Sequence, residues 1–529
     1  MELPANTAPT TAGRVRPAEL ALLASVFVVA ACGLVYELVA GALASVLLGD
    51  SVLQFSTVIG SYLFAMGVGS WLSKLVERQL VAQFLRVELL VAVAGGLLPA
   101  LLYAVHGSLP ASSALPFRIA LYGLVLVVGI LVGLEIPLVM RILKRHFSER
   151  YALKDLVAQV LTFDYLGALA VSIAFPLLLV PHLGLVRTAV LFGLLNAAVA
   201  VWALLLFRAE LRAWGRHALA CAGVIALLVG AFAAADVLSR WAEDRFYGEH
   251  IVFARQSSYQ RVVVTSSGAG VRLFLNGNLQ FHSRDEYRYH EALVHPAMLA
   301  HGAPQRVLVL GGGDGMAVRE ILKHPSVERI TLVELDPLMT QLFAGEPMLT
   351  RLNADALASP RLRVVNEDAW TWLDRHDEMF DVVVIDFPDP SNHAVGKLYT
   401  TSFYALVERH LAASGYVVVQ STSPLVARKS YWTVAATLEA VGLSVTPYHA
   451  HVPSFGEWGF VIASRRPFDI GAVQRRESWP SGLRFLTPQG LPALFDFPPD
   501  MARVAAEPNR LSTQSLVHTF EEEWGRVHE

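Results

Sequence analysis

RVLVLGGGDGMAVREILKHPSVERITLVELD, residues 306–336, is a complete βαβ unit in sequence. An apolar run, Val307 to Leu310, empties into a loop holding Gly311, Gly312, Gly313 and Gly315; a helical stretch follows, and a second apolar run ends at Glu334. Glycines there let backbone approach a ligand closely, and an acid ending the second strand is placed to accept both hydroxyls of a ribose. Asp314 sits inside the loop, where a carboxylate repels phosphate and attracts a cation. The expected ligand is therefore a nucleoside carrying positive charge, such as an adenosyl sulfonium.

Outward from this unit, strand-like runs alternate with helical ones from 305 to about 465: VLVL, ITLVEL, LRVVNEDA, DVVVID, GYVVVQS and GFVIAS. That alternation predicts a doubly wound α/β domain over 301–465, Rossmann-like and of the methyltransferase type. Asp314, Glu334, Asp368, Asp386 and Asp389 all follow successive strands, on the edge where such sheets bind ligands. An acid in that position often merely caps the next helix, but five together point to a site. Upstream, 244–300 reads as a small antiparallel sheet, with Asn276-Gly277 as a turn between short period-two runs. Residues 466–529 read as a Pro-rich cover without chemistry, with a short amphipathic helix around 515–527.

The first half is different in kind. Hydrophobic residues make up 54% of the 529 and the mean hydropathy is +0.47, too apolar for a soluble chain. Behind a polar leader, 1–19, the region 20–238 holds seven segments of membrane-spanning length, near 20–47, 51–72, 87–104, 119–141, 159–181, 188–207 and 217–238. Thirteen Lys and Arg fall on one side of these segments against two, Arg118 and Arg187, on the other, so the N-terminus is expected in the cytoplasm of a multi-pass inner-membrane protein. Seven crossings would put the catalytic half outside. A re-entrant stretch within 20–72 would make the number even and return it to the cytoplasm, the placement expected here. Acids inside apolar spans are costly and mark functional or paired sites, so Glu37, Glu135 and Asp164 are candidates; Arg141 or Lys144 is available to pair the last two.

A net charge of −3 without a basic stripe gives no sign of nucleic-acid binding. Both cysteines, Cys32 and Cys221, lie in apolar segments, which leaves no disulfide framework or thiolate metal site for the second half. His295, His301 and His324 fit no ligand spacing, and no metal is expected.

Over roughly residues 250–465 the chain resembles the spermidine synthases, the polyamine aminopropyltransferases. Six blocks in order carry the resemblance: SSYQ (257–260), LNGNLQFHSRDEYRYHEALVHP (275–296), LGGGDGMAVREILKHPSV (310–327), VELD (333–336), EDAW (367–370) and DFPDP (386–390). Membrane spans ahead of such a domain are similar to the membrane-integrated branch of that family. The resemblance implies decarboxylated S-adenosylmethionine as co-substrate, no bound cofactor, an amine acceptor and a homodimer. It places Gln260, Asp314, Glu334, Asp368 and Ala369 at the donor, sets His290, Asp314, Asp389 and Tyr289 against the amine, and makes Asp386 the proton acceptor. Departures fall on the acceptor side: Phe387 and Pro388 stand between the paired aspartates, His393 replaces a proline, and Phe455 replaces a tyrosine. Two other readings have to be set against this one, a methyltransferase and a non-catalytic polyamine sensor or transporter. Asp314 would face the carboxylate of an undecarboxylated donor, which argues against the first; the full set of acids argues against the second.

Overall fold

A computed structural model describes residues 17–48, 51–108, 114–147 and 153–526. The chain divides into two compact units, Met1–Phe246 and Tyr247–Glu529.

The first unit is helical: Pro17–Leu48, Ser51–Leu72, Leu80–Gly96, Leu98–Ser108, Ala114–Phe147, Leu153–Ala174, Val180–Leu206 and Trp214–Tyr247. The sequence-based leader is shorter than expected, since helix begins at Pro17; residues 1–16 lie outside the described residues. Among the described residues five stretches are long and apolar enough to cross a membrane: Leu23–Ser45, Leu53–Leu75, Leu115–Arg145, Lys154–Leu206 and Trp214–Leu238. The expected segments 159–181 and 188–207 both fall in Lys154–Leu206, whose 53 residues reach roughly 80 Å, more than twice a hydrocarbon core of about 30 Å. Gly184, at φ 71 and ψ 174, breaks the helix between them. The expected segment 87–104 is instead a pair of helices, Leu80–Gly96 and Leu98–Ser108, bent by 41°. Pro17–Leu48 and Ser51–Leu72, where a re-entrant stretch is expected, are each unbroken. Small residues bring helices close: a Cβ on Gly129 would lie 2.7 Å from that of Ala65, and one on Gly69 or Gly133 would collide with the backbone of Ile130 or Met66.

The second unit opens with a four-stranded antiparallel sheet: β1 (His250–Gln256), β2 (Arg261–Ser267), β3 (Gly270–Leu275) and β4 (Asn278–His282), in that order. Asn276 and Gly277, at φ 50 and φ 85, make the tight turn between β3 and β4. The sheet is smaller than the 244–300 read from the sequence. Glu286–His301 is a helix, and its Leu293, Ala297 and Met298 join the core of the larger sheet.

That sheet holds β5 (Arg306–Gly311), β6 (Arg329–Val333), β7 (Leu362–Val365), β8 (Phe380–Asp386), β9 (Leu411–Gln420), β10 (Ser444–Val452) and β11 (Gly456–Ser464), in the order β10-β11-β9-β8-β5-β6-β7. Strands β5 to β9 pair in parallel, while β11 runs antiparallel to both β9 and β10. Both faces are covered, so successive residues of one strand enter different cores: Val307 and Val309 on one side, Leu308 and Leu310 on the other. β10 escaped the sequence reading because Pro447, His449 and His451 interrupt its apolar run; an edge strand tolerates that proline. The C-terminal segment is fastened from within, since the buried Glu291 carboxylate accepts the backbone N–H groups of Arg484, Phe485 and Leu486 at 2.7, 2.9 and 2.9 Å.

Candidate active site

The carboxyl ends of β5, β6, β7 and β8 face one rim, and the glycine loop sits at its centre. Gly311, Gly312 and Gly315 take φ of 80°, 68° and 77°, a region that side chains rarely adopt. Gly313 is held for space: a Cβ there would lie 2.7 Å from Glu334 Cγ. The Glu334 carboxylate is aimed by two backbone donors, Gly313 N at 3.1 Å and Asp336 N at 2.9 Å, one to each oxygen. Each oxygen keeps a lone pair for a ribose hydroxyl. Burial pushes Glu334 up to about 7 against the pull of those two bonds.

Other donor-side candidates have local tasks as well. Gln260 Nε2 reaches Asp336 Oδ2 at 3.1 Å, alongside Ser257 Oγ at 2.7 Å, so strand β2 is tied to the turn after β6 through Asp336. Asp368 caps the helix Ala369–Arg375 through Thr371 N at 3.0 Å, while its other oxygen meets Lys397 Nζ at 2.9 Å. Burial opposes ionisation of Asp368, yet the Lys397 and Thr371 bonds outweigh it and hold this carboxyl below its usual range. Ala369, 5% exposed, is the first residue of that helix.

Asp314 is buried, with Oδ1 accepting Met316 N at 2.9 Å, and burial raises its pKa. Near it runs a relay the sequence reading missed: Arg319 forks onto both oxygens of Glu286 at 3.0 and 2.9 Å, and Glu286 Oε2 holds His290 Nδ1 at 2.7 Å. Burial disfavours an imidazolium, but the Glu286 bond and charge, with Asp314 and Asp386 beyond, lift His290 to about 9. His290 is therefore cationic at neutral pH. Its charge faces Asp314 and Asp386. The i, i+4 spacing of Glu286 and His290 was the visible signal.

Asp386 ends β8 directly opposite Gly311 in the register. Its Oδ1 accepts the Tyr289 hydroxyl at 2.6 Å, while Oδ2 would lie 3.1 Å from a Cβ on Gly312, so the absent side chain keeps that oxygen open. Burial, with Asp314 adding and His290 and Tyr289 subtracting, brings Asp386 to about 6. Asp389 is carried to about 7 by burial, against bonds from Gln420 and Thr422. Tyr289 packs against Phe460 and Phe455, with centroids at 5.2 and 6.5 Å. Tyr399, completely buried, is pinned under the loop by bonds to Gln420 and the Pro388 carbonyl.

Two further residues had no signal in the sequence. Thr422 has φ 56, unusual for a β-branched residue, and its hydroxyl accepts Trp524 Nε1 at 3.2 Å. Trp524 belongs to the helix Ser515–Gly525 of the segment read as an inert cover, so that segment reaches a neighbour of Asp389. Val527, the expected end of that helix, lies outside the described residues. His295 forms a buried chain with Glu320 and His324 at 2.9 and 3.0 Å. Among the described residues no group of three or more His, Cys, Asp or Glu is placed to hold a metal.

In the first unit Glu37 and Asp164 are half-buried and Glu135 is fully buried. Arg141, offered as a partner for Glu135, is bonded instead to the Ser73 carbonyl at 2.9 Å, and Lys144 is exposed. Glu135 meets Asn196.

An acid for a ribose diol, a second acid within the glycine loop and a base with raised pKa define a nucleoside-dependent group transferase of Rossmann-like fold. Residues 286–470 match the spermine/spermidine synthase domain. Polyamine aminopropyltransferase 2 of Ralstonia nicotianae is 54% identical over 513 residues, 96% of this chain and 98% of that protein. A polyamine aminopropyltransferase of Leptospira interrogans is 48% identical over 519 residues, 96% of this chain and 99% of that one. A crystal structure of spermidine synthase with the transition state analogue AdoDATO aligns at TM-score 0.43 and 27% identity, over 47% of this chain and 85% of that one. The chain belongs to the polyamine aminopropyltransferase family.

Proposed function

We propose that this protein is a membrane-embedded aminopropyltransferase that moves the aminopropyl group of decarboxylated S-adenosylmethionine onto a putrescine-like amine. The observation that carries the reading is the meeting of Asp314, Glu334, Asp386 and Asp389 around one glycine loop. The amine nitrogen attacks the carbon beside the sulfonium, the new C–N bond forms as C–S breaks, methylthioadenosine leaves as a neutral thioether, and Asp386 takes the amine proton. Glu334 holds the ribose and Asp314 the donor's terminal ammonium. The leaving group needs no acid, so alignment of the two substrates supplies most of the acceleration, with about 7–11 kcal/mol open to this effect. Asp314 would repel the carboxylate of S-adenosylmethionine, which disfavours methyl transfer. Phe455 and the stiff Phe387-Pro388 pair shape the acceptor side.

The apolar helices and the one-sided Lys and Arg support a multi-pass protein of the inner membrane with a cytoplasmic N-terminus. We take the catalytic unit to be cytoplasmic too, where the donor is made. That placement needs an even number of crossings; a bent pair in 80–108 that enters and leaves on one side would give six, while the one-sided charge count by itself favours seven. A homodimer, usual among the enzymes the chain resembles, is the proposed working form. Mass spectrometry of products from the purified protein, given either donor and a panel of diamines, tests the chemistry: an added aminopropyl group and methylthioadenosine are expected, and a methylated product would sink the reading. A cysteine introduced near residue 525 and probed in intact cells with an impermeant thiol reagent tests the side; labelling without permeabilisation overturns it.

A further inference from the structure

Four helices of the first unit bring two acids, an amide and a phenol into one buried cluster. Glu88 comes from Leu80–Gly96, Glu135 from Ala114–Phe147, Asn196 from Val180–Leu206 and Tyr36 from Pro17–Leu48. The first three are 0% exposed and Tyr36 is 1% exposed. Asn196 Nδ2 donates to both acids, at 3.2 Å to Glu88 Oε2 and 3.5 Å to Glu135 Oε1, so one nitrogen ties them together. The remainder is lopsided: Glu88 Oε1, Glu135 Oε2, Asn196 Oδ1 and the Tyr36 hydroxyl have no hydrogen-bond partner among the described residues. Three of these four can only accept, or donate only by taking up a proton.

A buried acceptor left unmade costs about 1–3 kcal/mol, and an unpaired buried carboxylate more. Three within one cluster, with no arginine or lysine paired to either acid among the described residues, fit a ligand that is a cation and a multiple donor. A primary ammonium has one positive charge, three N–H donors and no acceptor. Its donors match the three orphan acceptors in number. The acids also grade in burial: half-buried Asp164 acts electrostatically on Glu135, and half-buried Glu37 on Tyr62, whose hydroxyl bonds the Gly33 carbonyl at 2.9 Å, one turn before Glu37.

We propose that Glu88, Glu135 and Asn196 form a binding site for a primary ammonium, the end group of a polyamine, within the helical unit and apart from the catalytic acids. The proposal rests on the aminopropyltransferase reading only for the choice of amine. Full-length protein in nanodiscs, carrying Asp386→Asn so that nothing turns over, is titrated with radiolabelled spermidine while methylthioadenosine occupies the nucleoside site. Saturable binding that methylammonium displaces and sodium does not is expected, and Glu88→Gln with Glu135→Gln should weaken that component at least tenfold. Removing two unpaired acids should also raise the amine-free Tm and abolish the Tm rise that spermidine gives. Asn196→Leu, which keeps both acids, should weaken binding without raising Tm so far. In the Asp386 parent, aminopropyl transfer by Glu88→Gln stays near wild type, which separates this test from that of the catalytic reading. Unchanged spermidine stoichiometry in the double variant, displacement by sodium alone, or a lowered Tm with binding intact each overturns the site.

Discussion

Asp386→Asn keeps the size of the side chain and a partner for the Tyr289 hydroxyl, and removes only the capacity to take a proton. The demand on that capacity follows from the substrates. An alkylamine with pKa about 10.4 is neutral in only about one molecule in a few thousand at pH 7, and the neutral form is the nucleophile. A carboxylate at its ordinary value would be a poor acceptor for that proton. Asp386 at about 6 instead of 3.8 narrows the gap by about two units, a factor of about 100 in the transfer equilibrium. General-base catalysis contributes about 10²–10⁴-fold, so turnover of the variant should fall by at least about two orders of magnitude. Rapid-quench measurement of methylthioadenosine in a single turnover at saturating amine isolates the chemical step. Calorimetry should find donor affinity unchanged within about twofold, since Glu334 and Asp314 are untouched. The sign with pH follows: the base works ionised, so its share of the wild-type rate rises as pH climbs through about 6, while Glu334 and Asp389, at about 7, titrate in wild type and variant alike. A variant within about threefold of wild-type turnover refutes Asp386 as the base.

Asp314→Asn should erode the preference for the decarboxylated donor over S-adenosylmethionine by about one to two decades, the worth of a buried charge-assisted contact; equal wild-type affinity for the two donors would remove its role. Gly313→Ala drives a Cβ to 2.7 Å from Glu334 Cγ and should weaken donor binding at least about tenfold in a calorimetric titration, an effect absent from Gly345→Ala, where the space is open. Glu291→Ala strands the amides of Arg484, Phe485 and Leu486, at a cost of about 3 kcal/mol or more; limited proteolysis should cut within 466–486 in the variant and spare the wild type.

The parallel sheet and its glycine loop were legible because each strand is a short apolar run with an acid or glycine at its carboxyl end, a pattern set by covering both faces of the sheet. The donor acids were legible for the same reason. What escaped depended on residues far apart in sequence. Glu286–His301 looked like part of the small sheet because its neighbours are strands, and only the burial of Leu293 and Met298 against β8 to β11 marks it as a helix of the larger one. Glu88 is a single acid in a long apolar stretch, and its meaning comes from Asn196, 108 positions away. The link from Trp524 to Thr422 spans 102 positions, so no local spacing hints at it. Asp336 caps a helix with one oxygen, while its second oxygen gathers Ser257 and Gln260, 79 and 76 positions away.

The placing of Trp524 has a consequence for how the enzyme is made. During translation the apolar helices leave the ribosome first and can engage a bilayer while the catalytic unit is still being synthesised. The glycine loop, Glu334 and Asp386 are all present once β8 has emerged, so a donor pocket can form early. Thr422 then waits for an indole translated about a hundred residues later, and β9 waits for β11 to pair beside it. A chain stopped in between would carry the acids of the glycine-loop rim without the Trp524–Thr422 bond or the β9–β11 pairing, so the two sides of the site are completed at different times in each molecule's life.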